Sequence, residues 1–186
     1  MNRNKNSFPA LIQRSDSLLV IVDVQNKLAP LIQDTPRVVT NIVKLVRLAR
    51  IVDVPVIMSE QENLGETVEE IRLELQETPP ARKLSFSCFG EDAFTRRLKA
   101  HDRRTLVLTG IEAHICVAQT ALQAPSDYRV VVVADAVASR SPLDCQAALA
   151  RLRHEGATVA TAEMVIYEWL ERAGTDTFRS ALPLLK

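Results

Sequence analysis

Short apolar runs alternate with helix-like segments along almost the whole chain, and this alternation limits the folds open to it. Six segments are predicted to be strands, and they lie at residues 17–22, 54–58, 82–84, 106–108, 129–134 and 157–161. Amphipathic or helix-favouring segments separate them, with polar turns between. Strand–helix alternation of this kind favours an α/β fold. We therefore predict a three-layer α/β/α sandwich around a mainly parallel six-stranded sheet.

The composition fits one domain with a large core. Of 186 residues, 47% are apolar and only 4% are aromatic, which suits buried parallel strands rich in Val, Ile and Leu. We expect residues 1–16 to form an N-terminal arm and residues 17–186 to form a single domain. Lys plus Arg and Asp plus Glu each number 23, so no basic field favours a nucleic-acid partner. No run is long enough for a membrane span or a signal peptide.

Three cysteines, Cys88, Cys116 and Cys145, share no CxxC spacing. A sparse, odd set of this kind suggests neither a disulfide framework nor a zinc site. We therefore expect a cytoplasmic location, where thiols stay reduced, and no membrane partner.

Cys116 lies where a predicted strand gives way to a predicted helix. The apolar run 106–108 ends at Thr109 and Gly110, and residues from Val117 onward have helical composition. A helix N-terminus offers unpaired N–H groups and a partial positive charge, which favour a thiolate and can hold an oxyanion. Cys116 is thus a candidate nucleophile. A small buried cysteine that packs against the sheet fits the same stretch equally well.

Two further side chains follow or end predicted strands and are chemically suited to assist a thiol. In a parallel sheet, ligands bind beyond the carboxyl ends of the strands, where Asp23, Lys83, Cys116 and Asp135 are all expected. A carboxylate at Asp23 could take the thiol proton and later deliver it to a leaving amine, and Lys83 could stabilise both anions. Taken singly, Asp23 fits a turn residue and Lys83 a solvated lysine. The combination favours a catalytic set.

Three motifs together carry a family resemblance. Val22-Asp23-Val24-Gln25, Lys83 ahead of Ser87-Cys88-Phe89, and the run from Gly110 to Val117 resemble the motifs of the isochorismatase-like cysteine hydrolases. The resemblance covers nearly all of residues 17–172 and implies the Rossmann-like fold of that family. The Ser59-Glu60-Gln61 loop with Leu64-Gly65, and the Glu-Ala-His form of the cysteine motif, are most similar to the isochorismatase domain-containing subgroup.

What the resemblance implies is a hydrolase with a triad of Asp23, Lys83 and Cys116. In amide-cleaving members such as nicotinamidases, the cysteine attacks a carbonyl, an amine leaves, and water hydrolyses the thioester. The resemblance also implies a cis peptide bond between Ile111 and Glu112. The amides of Glu112 and Cys116 would then form the oxyanion hole. We expect a small amide-like substrate and, as is common in the family, a homo-oligomer.

The sequence departs from the nicotinamidases of this family, which carry an aspartate and histidines after the second strand to bind a metal. Residues 59–63 contain no histidine, and the chain's only three histidines, His101, His114 and His154, are scattered. The resemblance therefore implies a hydrolase without metal or other cofactor.

Six further residues are candidates for lining the substrate pocket, and two rival functions fit the same sequence. The pocket candidates are Gln25, Glu60, Gln61, Phe86, Phe89 and His114, for which solvated loop or core positions are the alternatives. One rival function is a non-catalytic oligomeric binding protein on the same fold. The other is a redox-sensing thiol protein, which requires Cys88 or Cys145 within disulfide distance of Cys116.

Overall fold

Six strands and seven α-helices make up the fold in the computed structural model, which describes residues 8–185. The strands are β1 (Ser17–Val22), β2 (Val56–Gln61), β3 (Ala81–Lys83), β4 (Thr105–Ile111), β5 (Arg129–Ala138) and β6 (Thr158–Ala160). The helices are α1 (Thr35–Ile51), α2 (Glu69–Glu74), α3 (Asp92–Lys99), α4 (Ala118–Gln123), α5 (Pro142–His154), α6 (Ala162–Leu170) and α7 (Asp176–Ala181).

All six strands are parallel and are ordered β3-β2-β1-β4-β5-β6, so β1 and β4 form the centre of the sheet. Every residue of β1 and β4 is buried, because helices cover both faces. Helices α1 and α6 pack on one face, while α3, α4 and α5 contribute to the core on the other. The predicted α/β sandwich is therefore confirmed.

Strand lengths differ from the prediction at three places that bear on the site. Strand β4 was expected to end at Thr109 and Gly110, but it continues through both residues to Ile111. Strand β2 begins and ends later than expected, so Glu60 and Gln61 lie in the strand and not in a loop. Strand β5 continues to Ala138, past a register shift in its pairing with β4 between Leu108 and Gly110. Asp135 was expected at a strand end, and this was wrong. It lies inside β5, where Oδ1 accepts a hydrogen bond of 2.7 Å from the N–H of Ala162 at the start of α6.

Part of the predicted N-terminal arm, residues 1–7, lies outside the described residues. The rest lies against the sheet: Ile12 is buried and its N–H donates to Glu168 Oε2 at 2.6 Å. The Arg129 guanidinium donates to the carbonyls of Pro9, Ala10 and Leu11 at 2.8–3.0 Å. Within residues 8–185, every helix is too short or too polar to cross a bilayer.

Candidate active site

Asp23, Lys83 and Cys116 meet at the carboxyl edge of the sheet. Asp23 directly follows β1, Lys83 is the last residue of β3, and Cys116 lies in a π-helical turn, Ala113–Val117, between β4 and α4. The Lys83 Nζ lies 2.6 Å from Asp23 Oδ2 and 3.6 Å from Cys116 Sγ. All three side chains are buried, with Cys116 the most accessible at 7% exposed. The Lys83 ammonium therefore contacts both the carboxylate of Asp23 and the thiol of Cys116.

The Lys83 ammonium is held by more acceptors than it has protons. Besides Asp23 and Cys116, it donates to Gln61 Oε1 at 2.7 Å and to the carbonyls of Ser85 and Phe86 at 3.1 Å. Burial lowers the pKa of Lys83, but the adjoining Asp23 carboxylate outweighs that effect and the net shift is upward. Lys83 is therefore a permanent cation at neutral pH.

The two oxygens of the Asp23 carboxylate have different surroundings. Oδ1 accepts a hydrogen bond of 2.7 Å from Ser59 Oγ. Oδ2 lies 2.6 Å from the Lys83 ammonium and forms an ion pair with it. One oxygen of the carboxylate thus accepts from a neutral hydroxyl, and the other faces a cation. The backbone of Asp23 has φ of +53°, a left-handed conformation that is uncommon outside glycine.

The expectation of a stabilised thiolate at Cys116 was wrong. Burial first, and then the negative charge of Asp23, raises the pKa of Cys116 to about 12, against a smaller opposing effect of Lys83. The helix-end argument failed because it considered the backbone dipole alone and left out burial and the nearby carboxylate. At neutral pH the resting site consists of a neutral thiol beside an ion pair of Asp23 and Lys83.

The peptide bond between Ile111 and Glu112 is cis, as the resemblance predicts. The Glu112 side chain is buried and turns toward β5 and α5, where Oε1 accepts from Arg140 Nε at 2.6 Å and Oε2 from Arg140 N at 3.1 Å. His114 lies in the same cluster: its Nδ1 is 2.9 Å from Ser139 Oγ and 3.7 Å from Glu112 Oε2. These contacts tie the turn that carries Cys116 to the end of β5.

Two of the predicted pocket residues have side chains fully engaged in local structure. Gln25 bonds both main-chain groups of Gln61, at 2.9 Å each, and also donates to Gly65 O at 2.6 Å. Glu60 Oε1 accepts from the N–H and the hydroxyl of Thr67, at 2.8 and 2.9 Å. Both residues thus hold the segment that follows β2 in place. Gln25 also holds the main chain of Gln61, whose side chain accepts a hydrogen bond from Lys83.

The other predicted pocket residues differ in exposure. Phe86 is 55% exposed while its carbonyl holds Lys83, so its ring stands near the site in solvent. Phe89 is half-buried and packs edge-on against Phe94, with ring centroids 5.5 Å apart. Glu60 and Gln61 also line a surface cleft of about 450 Å³. The role of these residues in substrate binding stays a prediction.

Sequence reasoning missed Ser59, Cys88 and Arg140 as neighbours of the site. Ser59 holds Asp23, Cys88 Sγ donates to Ser59 Oγ at 3.5 Å, and Arg140 holds Glu112. The signal for Ser59 was present, since it is the first polar residue after the three apolar residues of β2, Val56–Met58. Arg140 follows a strand that was predicted too short, so nothing pointed to it.

A search for metal ligands among residues 8–185 finds no group of three or more His, Cys, Asp or Glu side chains that could hold an ion. Cys88, Cys116 and Cys145 are all free thiols. Independence of metal and cofactor stays a prediction.

Comparison with known proteins gives the family. The model of the isochorismatase domain matches residues 17–164. The chain belongs to the isochorismatase family. It is 36% identical to isochorismatase domain-containing protein 2 of Danio rerio over 172 residues, which is 91% of this chain and 86% of the relative. Membership of this family supports a hydrolase-type function.

Two solved structures extend the comparison. The MAR1 ribonuclease from Caenorhabditis elegans is 33% identical, with a TM-score of 0.87 over 95% of this chain and 92% of its own. YcaC from Pseudomonas aeruginosa, solved with hexane-2,5-diol and covalent acrylamide, is 25% identical, with a TM-score of 0.86 over 96% of this chain and 93% of its own.

Proposed function

We propose that this protein is a metal-independent cysteine hydrolase that cleaves the carbon–nitrogen bond of a small amide-like substrate. The observation that carries the proposal is the position of the Lys83 ammonium, 2.6 Å from Asp23 Oδ2 and 3.6 Å from Cys116 Sγ. A cation placed between an acid and a thiol allows a proton to pass from sulfur to oxygen while both anions stay compensated.

The proposed cycle conserves protons at every step. Asp23 Oδ2 takes the thiol proton as Cys116 Sγ bonds to the substrate carbonyl carbon, and the amides of Glu112 and Cys116 receive the oxyanion. The carbon–nitrogen bond breaks, and Asp23 returns the proton to the departing amine. Water then attacks the thioester and gives its proton through Asp23 to the sulfur, which releases the carboxylic acid.

The raised pKa of Cys116 fits this cycle, because the thiol needs to lose its proton only when an electrophile is in place. A neutral resting thiol does not attract metal ions or oxidants as a thiolate would.

The two rival functions are less well supported. A non-catalytic binding protein would be favoured by a wide-open site with Lys83 pointing away from Cys116, whereas Lys83 points toward a nearly closed thiol.

Acrylamide is a direct probe of the proposed nucleophile, since it is a small amide-bearing electrophile held covalently in the Pseudomonas aeruginosa relative. We expect intact-mass spectrometry to find one rapid adduct on the wild type and on Cys145→Ala, and none at that rate on Cys116→Ala. A panel of small amides, followed by amine release, should show turnover that falls at least about a thousandfold in Cys116→Ala. Amide turnover that survives in Cys116→Ala would contradict the proposal.

A ribonuclease is the second candidate, because the 33% identical Caenorhabditis elegans protein bears that name. The balance of 23 basic and 23 acidic residues argues against strong binding of a phosphate backbone. We therefore expect a single-stranded RNA oligomer to stay intact in the presence of the protein. RNA cleavage that disappears in Cys116→Ala or Asp23→Asn would favour the ribonuclease instead.

A further inference from the structure

The Asp23 carboxylate is held by a buried chain of hydrogen bonds that reaches Oδ1, the oxygen other than the one that Lys83 contacts. Ser59 lies in β2 beside the end of β1, in register with Val22. It binds Asp23 twice: its carbonyl accepts from Asp23 N at 3.3 Å, and its hydroxyl donates to Asp23 Oδ1 at 2.7 Å. Ser59 and Asp23 are both almost fully buried, so water cannot replace these bonds.

The direction of this chain is fixed by chemistry. An ionised carboxylate only accepts hydrogen bonds, so the single hydroxyl proton of Ser59 must point at Asp23. The Ser59 oxygen is then left to accept, and the Cys88 thiol lies 3.5 Å away as the donor. Burial, and then the charge of Asp23, raises the pKa of Cys88, so this thiol keeps its proton.

Cys88 is in turn held by α4, the helix next to Cys116. Its N–H donates to Thr120 Oγ1 at 3.0 Å, and Thr120 belongs to α4, the helix that follows Cys116. The chain of contacts therefore runs from α4 through Cys88 and Ser59 to Asp23. It joins the element that carries the nucleophile to the element that carries the base.

From this arrangement we infer that Ser59 is a positioning residue that selects which oxygen of Asp23 receives the Cys116 proton, and that Cys88 supports Ser59 by donating to its hydroxyl oxygen. Because Ser59 donates to Oδ1, Oδ2 is the oxygen that faces the Lys83 ammonium, which in turn contacts Cys116. The inference rests on the proposed role of Asp23 as the base and adds the residues that orient it.

The test is the pH dependence of acrylamide addition to Cys116, read by intact mass, which needs no knowledge of the natural substrate. The Ser59→Ala change removes a donor to the ionised carboxylate, which favours its protonated form. We expect the acid limb of the profile to move to higher pH by about one unit. Ser59→Thr keeps a hydroxyl and should restore the wild-type limb, and Cys88→Ala should shift it in the same direction by less.

Ser17→Ala is the matched control. Ser17 is a fully buried strand serine whose hydroxyl donates to Gln13 O and accepts from Trp169 Nε1, at the far end of β1. A role in stability alone would lower the melting temperature without moving the limb. The inference is overturned if Ser59→Ala and Cys88→Ala keep the wild-type limb while Asp23→Asn loses it. A wild-type profile in Asp23→Asn would overturn the base role, and this inference with it.

Discussion

Two neighbouring charges act in opposite directions on the one proton of Cys116. Asp23 repels a thiolate and Lys83 attracts it, and burial disfavours any net charge. The outcome is a site with one compensated ion pair and a neutral nucleophile. Such a site keeps its charges balanced at rest.

The raised pKa of Cys116 predicts a loss of stability at alkaline pH. Above about pH 9 the unfolded chain releases this thiol proton, while the folded chain keeps it until about pH 12. The folded state then holds more protons, so its free energy of unfolding falls by about 1.4 kcal/mol per pH unit from this group. Below that range the thiol is protonated in both states, so it makes no contribution to the pH dependence of stability.

Cys116→Ala should therefore gain stability relative to the wild type as pH rises. Urea denaturation of both proteins from about pH 8 to about pH 11 measures the difference, which should be flat at first and then grow at the stated slope. Groups that do not interact with Cys116 titrate alike in both proteins and cancel. A difference that stays constant over the range would show that the buried thiol titrates normally.

At the scale of elements, the site depends on how closely β4 approaches β1. Gly110 lies opposite Val22 in the register of these strands, with φ of +122°. A Cβ on Gly110 would lie 2.0 Å from the Val22 carbonyl oxygen and 2.7 Å from its carbon and nitrogen. Because Asp23 follows Val22 and the cysteine turn follows β4, this contact sets the distance between Asp23 and Cys116.

The Gly110→Ala substitution should destabilise the fold far more than the same substitution at an ordinary loop glycine. The clash is with main chain in the centre of a sheet, so we expect a loss of about 4 kcal/mol or more, or failure to fold. Gly156→Ala is the control, since Gly156 also has positive φ, +95°, but open space around it. That change should cost about 1–2 kcal/mol. Urea denaturation compares them, and equal losses would contradict the packing argument.

The sequence was sufficient for the order of elements and for the prediction that Asp23, Lys83 and Cys116 lie close together. Apolar runs such as 17–22 marked the strands, and the motifs around Asp23 and Cys116 marked their ends. Strand β5 was predicted too short because the polar Asp135 ended the apolar run, whereas its side chain is satisfied by α6. The pKa of Cys116 and the contact from Ser59 depend on distances between strands far apart in sequence, which local patterns do not encode.

At the scale of the molecule, two apolar clusters lie on opposite faces of one sheet, and the site occupies the sheet's edge between them. Several large apolar side chains remain exposed, among them Leu84, Phe86 and Leu143. Apolar exposure of this kind is compatible with an interface between subunits. Homo-oligomerisation and a cytoplasmic location stay predictions.

The segment before β1 packs against the rest of the domain and should contribute to the stability of the fold. Arg129, at the start of β5, donates to three successive carbonyls of that segment, those of Pro9, Ala10 and Leu11. Arg129→Gln removes most of these bonds. We expect a loss of about 1–2 kcal/mol in the free energy of unfolding, together with faster tryptic cleavage after Arg14. Acrylamide addition to Cys116 should be unchanged, because the segment lies at the amino-terminal edge of the sheet.

Arg103→Gln is the matched control for this change. Arg103 is half-buried like Arg129, but its side chain makes no hydrogen bond or ion pair with any residue in the range 8–185. Its substitution should leave both the urea midpoint and the cleavage rate within error of the wild type. If Arg129→Gln behaved in the same way, the segment would be held by the burial of Ile12 and its bond to Glu168 alone.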